Sequence, residues 1–168
     1  MIFNPREEQE SFPIPAQSGV YLLLLYLSGE ARIEVGRLGR LRLQRGYYFY
    51  LGSAHGPGGL RARIRRHVVG SEKQFWHIDY LRAVADPVQV WFSCAGPNGE
   101  HTAAARLGEV HELGIPFPGF GSSDCSCRSH LFYAGERTAV RKAWAFLNQH
   151  FPRGQRWQRV EIKGVENQ

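Results

Sequence analysis

Arg63 and His67 stand four residues apart, just beyond a glycine-rich turn that follows a run of tyrosines. A guanidinium is a fixed cation with a forked set of donors, and imidazoles and phenols move protons, so these types in this order suggest a basic site that holds an anion. The elements that must position them are legible in residues 47–67, YYFYLGSAHGPGGLRARIRRH. Residues 47–51 are aromatic and strand-like, while residues 52–59 are too rich in glycine to continue a strand or form a stable helix. From Leu60 the spacing is helical. Leu60, Ile64 and Val68 make an apolar seam, and Arg63 and His67 lie side by side along its flank. Arg61, Arg65 and Arg66 point elsewhere on that helix, where they suit a substrate backbone. Gly56, Gly58 and Gly59 leave room for a chain to come close.

Two more residues complete a constellation. Tyr21 lies in GVYLLLLYL, residues 19–27, which is short, bounded by glycine and almost wholly apolar, as a central strand buried on both faces would be. Glu100 follows the turn Gly96-Pro97-Asn98-Gly99 and opens a helix whose seam is Ala103, Ala104, Leu107 and Val110. If the strands carrying Tyr21 and Tyr50 are neighbours, Tyr21, Tyr50, Arg63, His67 and Glu100 can meet. Each taken singly has an ordinary structural reading: a strand tyrosine packs in the core, a helix arginine is solvated, a first-turn glutamate complements the helix dipole. Their joint pattern is what points to function.

Between the two tyrosine strands, residues 29–46 alternate Ile33/Val35 and Leu41/Leu43 with charges around Gly36 and Gly39, a hairpin with one packed and one arginine-rich face. Arg37, Arg40 and Arg42 lie there. Residues 75–85 read as a second amphipathic helix with Trp76, Tyr80 and Val84 on one side, and residues 88–94 as another strand. A helix over residues 138–150 closes the order of elements. The expected fold is a single α/β (α+β) domain at residues 19–150, with a small mixed or antiparallel sheet flanked by helices and carrying an inserted basic hairpin. Residues 1–18 read as an extended leader and residues 151–168 as a basic tail.

Lysine and arginine outnumber aspartate and glutamate by 21 to 15 in 168 residues, and the arginines cluster in the hairpin and at residues 61–66. Such clustering favours a polyanion, nucleic acid ahead of a membrane surface. No apolar run is long enough for a membrane span and no signal-peptide pattern opens the chain, so the cytoplasm is the expected compartment. Three cysteines in such a chain do not make a disulfide framework.

The pattern resembles the GIY-YIG nuclease superfamily. GVY at residues 19–21 is similar to its first signature and YLG at residues 50–52 to its second. Arg63 and His67 reproduce the R-x-x-x-H arrangement after the second signature, and Glu100 stands where the superfamily's metal-binding glutamate opens a later helix. Within it, the closer resemblance is to a family known as domain of unknown function number 123, through GSAHGPGGLRARIRRH, WHIDYL at residues 76–81 and FGSSDCSCRSHLFY at residues 120–133. The signatures are further apart than is usual in the superfamily, and the hairpin accounts for the difference.

The resemblance implies a metal-dependent endonuclease acting on nucleic acid, with DNA the first expectation. Glu100 would hold a divalent cation, Mg²⁺ or Mn²⁺, Arg63 would stabilise phosphate charge, and Tyr21 or Tyr50 would take the proton of the attacking water, directly or through His67. A phenol that ionises near pH 10 needs a nearby cation to act near neutrality, and Arg63 is the expected one. Arg37, Arg40, Arg42, Arg61, Arg65 and Arg66 would bind the nucleic-acid backbone. The alternative is a non-catalytic nucleic-acid-binding module, which has no need of Glu100.

Residues 122–130, SSDCSCRSH, offer a different chemistry. Asp124, Cys125, Cys127 and His130 are ligand types, and Cys94 or His111 is a candidate to complete a zinc site. C-x-C-x₂-H is not a usual structural zinc spacing, however, so the segment reads first as a loop whose small polar residues bond locally beside the cleft.

Overall fold

The computed structural model describes residues 2–3 and 13–162. Its centre is β2 (Gly19–Leu27), buried along nearly its whole length. It runs antiparallel between β5 (Gly46–Ala54) and β6 (Asp86–Ser93). With β1 (Ile2–Phe3), β7 (Leu131–Ala134) and β8 (Gln158–Ile162) the sheet order is β1-β8-β6-β2-β5-β7. Every neighbouring pair is antiparallel except β1 with β8.

Alternation divides the strand side chains between two cores. Tyr21, Leu23, Leu25, Tyr48, Tyr50, Val90 and Phe92 face α1 (Gly59–Val69) and α2 (His77–Arg82). Val20, Leu22, Leu24, Phe49, Leu51 and Trp91 face α3 (Gly99–Gly108) and α4 (Arg137–His150). Helices on both faces are why β2 reads as an apolar run rather than an alternating strand. The seam Leu60, Ile64 and Val68 is buried as expected. The hairpin also forms as expected, from β3 (Ala31–Val35) and β4 (Gly39–Leu43). Val35, Leu41 and Leu43 are buried on its inner face, and Arg32, Glu34, Arg40 and Arg42 are exposed on the other.

Three boundaries differ from expectation. Residues 158–162 are not tail but β8, paired with β6, because Val160 and Ile162 reach the core while Arg159 and Glu161 alternate with them. The leader is partly built in: Ile2–Phe3 pairs with β8, Ile14 is buried, and the carbonyls of Gln17 and Pro15 accept the N–H groups of Leu60 and Arg61, which a helix start leaves unpaired. Residues 1 and 4–12 of the leader, and the tail beyond residue 162, lie outside the described residues. The second helix begins at His77 and ends at Arg82, because the Asp79 carboxylate accepts the N–H groups of Phe75 and Trp76 and caps the chain there. Val84 is consequently exposed. No helix among the described residues is long and apolar enough to cross a membrane.

Candidate active site and a neighbouring ligand cluster

A cleft of about 310 Å³ opens where β2, β5, α1 and the start of α3 meet, and Tyr21, Tyr50, Arg63, His67 and Glu100 all line it. Gly52, Ser53, Phe75, Trp76, His77 and Asp124 complete most of its wall. Strand register places the two tyrosines, helix spacing places Arg63 and His67, and the turn after β6 brings in Glu100 at the start of α3.

Register places Tyr21 opposite Gly52. The phenol ring crosses that glycine so closely that a Cβ at position 52 would stand 2.4 Å from the Tyr21 hydroxyl oxygen. The hydroxyl then meets His67 Nε2 at 2.9 Å. Burial first, then Arg66 and Arg63, push the His67 imidazole down to about 3, with Asp79 opposing, so the ring is neutral near pH 7. The tautomer that turns N–H towards the Asp79 carboxylate, whose Oδ1 lies 4.0 Å from Nδ1 without a hydrogen bond, leaves Nε2 free to accept the Tyr21 proton.

Burial is also the main cause that raises the Tyr21 phenol well above 10.0, with Tyr50 and Glu100 adding and Arg63 opposing. Tyr50 is raised by burial first and Glu100 second, again against Arg63. Arg63 therefore acts on both phenols in the expected direction, but desolvation outweighs it and neither stands ionised near neutrality.

Asp79, which was not singled out from the sequence, organises one wall. Its carboxylate takes both guanidinium nitrogens of Arg66 at 3.1 Å and the two backbone N–H groups at 2.9 Å. Burial would raise this carboxyl, yet those four donors hold it below its ordinary value. Arg63 and Arg66 both lie over the Trp76 indole, 4.6 Å and 3.9 Å from its centroid. Phe75, 79% exposed, stands beside it at the mouth.

The arginines expected to bind a backbone divide. Arg66 is committed to Asp79, and Arg61 donates from Nε to the Ile14 carbonyl, so both tie the fold together. Arg65 is exposed. Arg42 pairs with Glu30 at 2.8 Å, Arg40 approaches Glu34 at 3.9 Å, and Arg37 is exposed in the hairpin turn. Beside Arg37, Leu38 packs near Gly119, which brings the hairpin to the loop bordering the cleft. The glycine turn has its own conformational reason: Gly58 and Gly59 have φ of 79° and 55°, and a Cβ on Gly59 would lie 2.3 Å from the Gln17 carbonyl. Gly56 alone of the three has open space around it.

Glu100 projects from the first turn of α3. Burial would raise its carboxyl, but hydrogen bonds from His130 and Ser53 and the nearby His101 hold it below its ordinary value. His130 Nδ1 lies 3.2 Å from Glu100 Oε1. An ionised carboxylate, with Asp124 on the same wall, is the oxygen donor chemistry that suits a hard divalent cation.

Behind Glu100 lies a second set of ligands. His101, Cys125, Cys127 and His130 each offer one donor atom, and the four atoms lie within 4.8 Å of one another, a grouping able to hold a metal ion. His101, rather than Cys94 or His111, stands with Cys125, Cys127 and His130, and nothing in the sequence marks its position next to Glu100 on α3 for this.

No curated protein and no solved structure matches the chain. The family model for a domain of unknown function, DUF123, matches residues 20–152, a span that contains the five cleft residues and the four ligands behind them. The chain belongs to the DUF123 family.

Proposed function

We propose that the protein is a metal-dependent endonuclease of the GIY-YIG type, hydrolysing phosphodiester bonds of nucleic acid, with DNA as the first substrate to try. The observation that carries this reading is the convergence of Tyr21, Tyr50, Arg63, His67 and Glu100 on one cleft. Glu100 would hold Mg²⁺ or Mn²⁺, with Asp124 in reach of the same wall; when bound, the cation supplies charge stabilisation at the phosphate and the leaving oxygen.

Arg63, held against Trp76, pairs with the scissile phosphate. The attacking water gives its proton to the Tyr21 oxygen as the Tyr21 proton passes to His67 Nε2, along the 2.9 Å bond already present. The imidazolium so formed faces the Asp79 carboxylate. Phosphate binding favours this transfer, because pairing with Arg63 offsets one of the cations that depress His67. Tyr50, T-shaped to His67 at 6.2 Å between centroids, walls the ring in. Exposed Phe75 offers a face on which a base can stack.

A second reading, binding without cleavage, draws support from the exposed arginine face of the hairpin. Incubation with labelled DNA and RNA structures, with Mg²⁺, Mn²⁺ or chelator, decides between them: cation-dependent product supports the nuclease, and salt-sensitive binding without product supports the module. We take the cytoplasm as its compartment, where Cys94, Cys125 and Cys127, all free, stay reduced.

A further inference from the structure

We propose that His101, Cys125, Cys127 and His130 bind one structural Zn²⁺, and that His130 passes the order of that site on to Glu100. Two thiols and two imidazoles form the donor set of tetrahedral structural zinc, with bonds of about 2.3 Å to sulfur and about 2.0–2.1 Å to nitrogen. Tetrahedral bonds of those lengths put donors about 3.3–3.8 Å apart. His101 Nδ1 lies 3.2 Å from Cys127 Sγ, and Cys125 Sγ lies 3.4 Å from His130 Nε2, so two donor pairs already stand near that spacing. The widest separations, up to 4.8 Å, need a small contraction.

The site answers a structural need. Residues 122–130 form no helix or strand. Arg128 and His130 are tied to residues 119–120 and Leu51 by backbone bonds of 2.8–2.9 Å. Residues 122–125, at the start of the loop, have among the described residues only the local backbone bonds Ser122 N–H to Gly119 and Cys125 N–H to Ser122, at 3.3 and 3.4 Å. A metal shared with His101 would fasten this loop to the first turn of α3, where the adjacent residue is Glu100. His130 faces the cluster through Nε2 and Glu100 through Nδ1, at 3.2 Å. With Nε2 on the metal, the ring proton must sit on Nδ1 and is donated to the carboxylate, a carboxylate–histidine–metal relay that fixes both groups. His130 is then a positioning residue for Glu100. Zinc binding stands independently of the nuclease reading, whereas its consequence for catalysis rests on it.

The full-length chain, purified without chelator, should contain one zinc per molecule by elemental analysis. Metal-free protein given Co²⁺ should show the intense visible and thiolate charge-transfer absorption of a tetrahedral cobalt–thiolate centre. Cys94→Ser should retain the metal, since Cys94 bonds to Gln17 elsewhere, and Cys125→Ser with Cys127→Ser should lose it. Absence of both stoichiometric zinc and the cobalt–thiolate spectrum in the unaltered chain would overturn the site, as would zinc retained by the double variant. Glu100→Ala should weaken zinc affinity about 10-fold or more in competition with a chromophoric chelator, because the His130 partner is gone. Unchanged affinity would overturn the relay while leaving the zinc site standing. Zinc bound by a chain that cuts nothing would count against the nuclease alone.

Discussion

The Tyr21 hydroxyl is hydrogen-bonded to Nε2 of a buried, neutral His67, 2.9 Å away, in the wall of a cleft that Arg63 and Glu100 also line. The bond joins the second residue after Gly19 on a central strand to the last turn of α1, and it links two of the five cleft residues side chain to side chain. Tyr21→Phe should leave both nitrogens of His67 unpartnered, costing about 1–3 kcal/mol of stability. Cleavage should fall roughly 10²–10⁴-fold with substrate binding little changed. Single-turnover kinetics beside urea unfolding separates the two effects.

Gly52→Ala tests the same bond from the neighbouring strand. The new Cβ would stand 2.4 Å from the Tyr21 oxygen, so the ring must move. Overpacking of this kind costs about 1–3 kcal/mol. Adding Tyr21→Phe should cost little further activity, because the hydroxyl will already be displaced; additive losses in the double variant would speak against the contact.

Two arginines three residues apart should behave oppositely. Arg63→Ala is expected to abolish cleavage with a near-native melting temperature, since its guanidinium rests on the Trp76 ring, whereas that of Arg66 is bonded to a buried carboxylate. Arg66→Ala should instead lower stability by about 1–3 kcal/mol, because Asp79 is buried and loses two charged donors. Thermal melts and nuclease assays on both variants check the contrast.

Stability should fall with acid in a window set by His67. Its folded value near 3 lies below the ordinary 6.5, so between these values the unfolded chain binds a proton the folded chain refuses. The stabilisation is complete above about pH 6.5 and is lost progressively as pH falls towards 3, on the order of 2–3 kcal/mol by about pH 4.5. Asp79 and Glu100, both held low, lose stability in the same direction at lower pH. His67→Gln should flatten the upper part of the curve measured by urea unfolding.

Local pattern carried much of this molecule. The apolar run at Gly19–Leu27 marks a strand with helices on both faces, and the Leu60, Ile64 and Val68 spacing sets which side of α1 turns inward and so where Arg63 and His67 emerge. The missed features depend on contacts between distant segments. β8 hides among Arg156, Arg159 and Glu161, and only its pairing with β6 makes it a strand. Arg66 looks as free as Arg63 until Asp79 is placed beside it. His101 comes within reach of Cys127 only when residues 122–130 fold against α3. Burial of the tyrosines, which decides the state of both phenols, likewise has no local signature.

Replacement of one carboxylate tests the nuclease reading most directly. Wild-type protein and Glu100→Ala, both confirmed folded by thermal melting, are incubated with the same labelled DNA and RNA structures in Mg²⁺ or Mn²⁺ and in chelator. Cation-dependent cleavage by the wild type, lost in Glu100→Ala while binding to the same substrate persists, is the predicted result. Equal cleavage by the two proteins, or no cleavage of any substrate by a folded wild type, would contradict it.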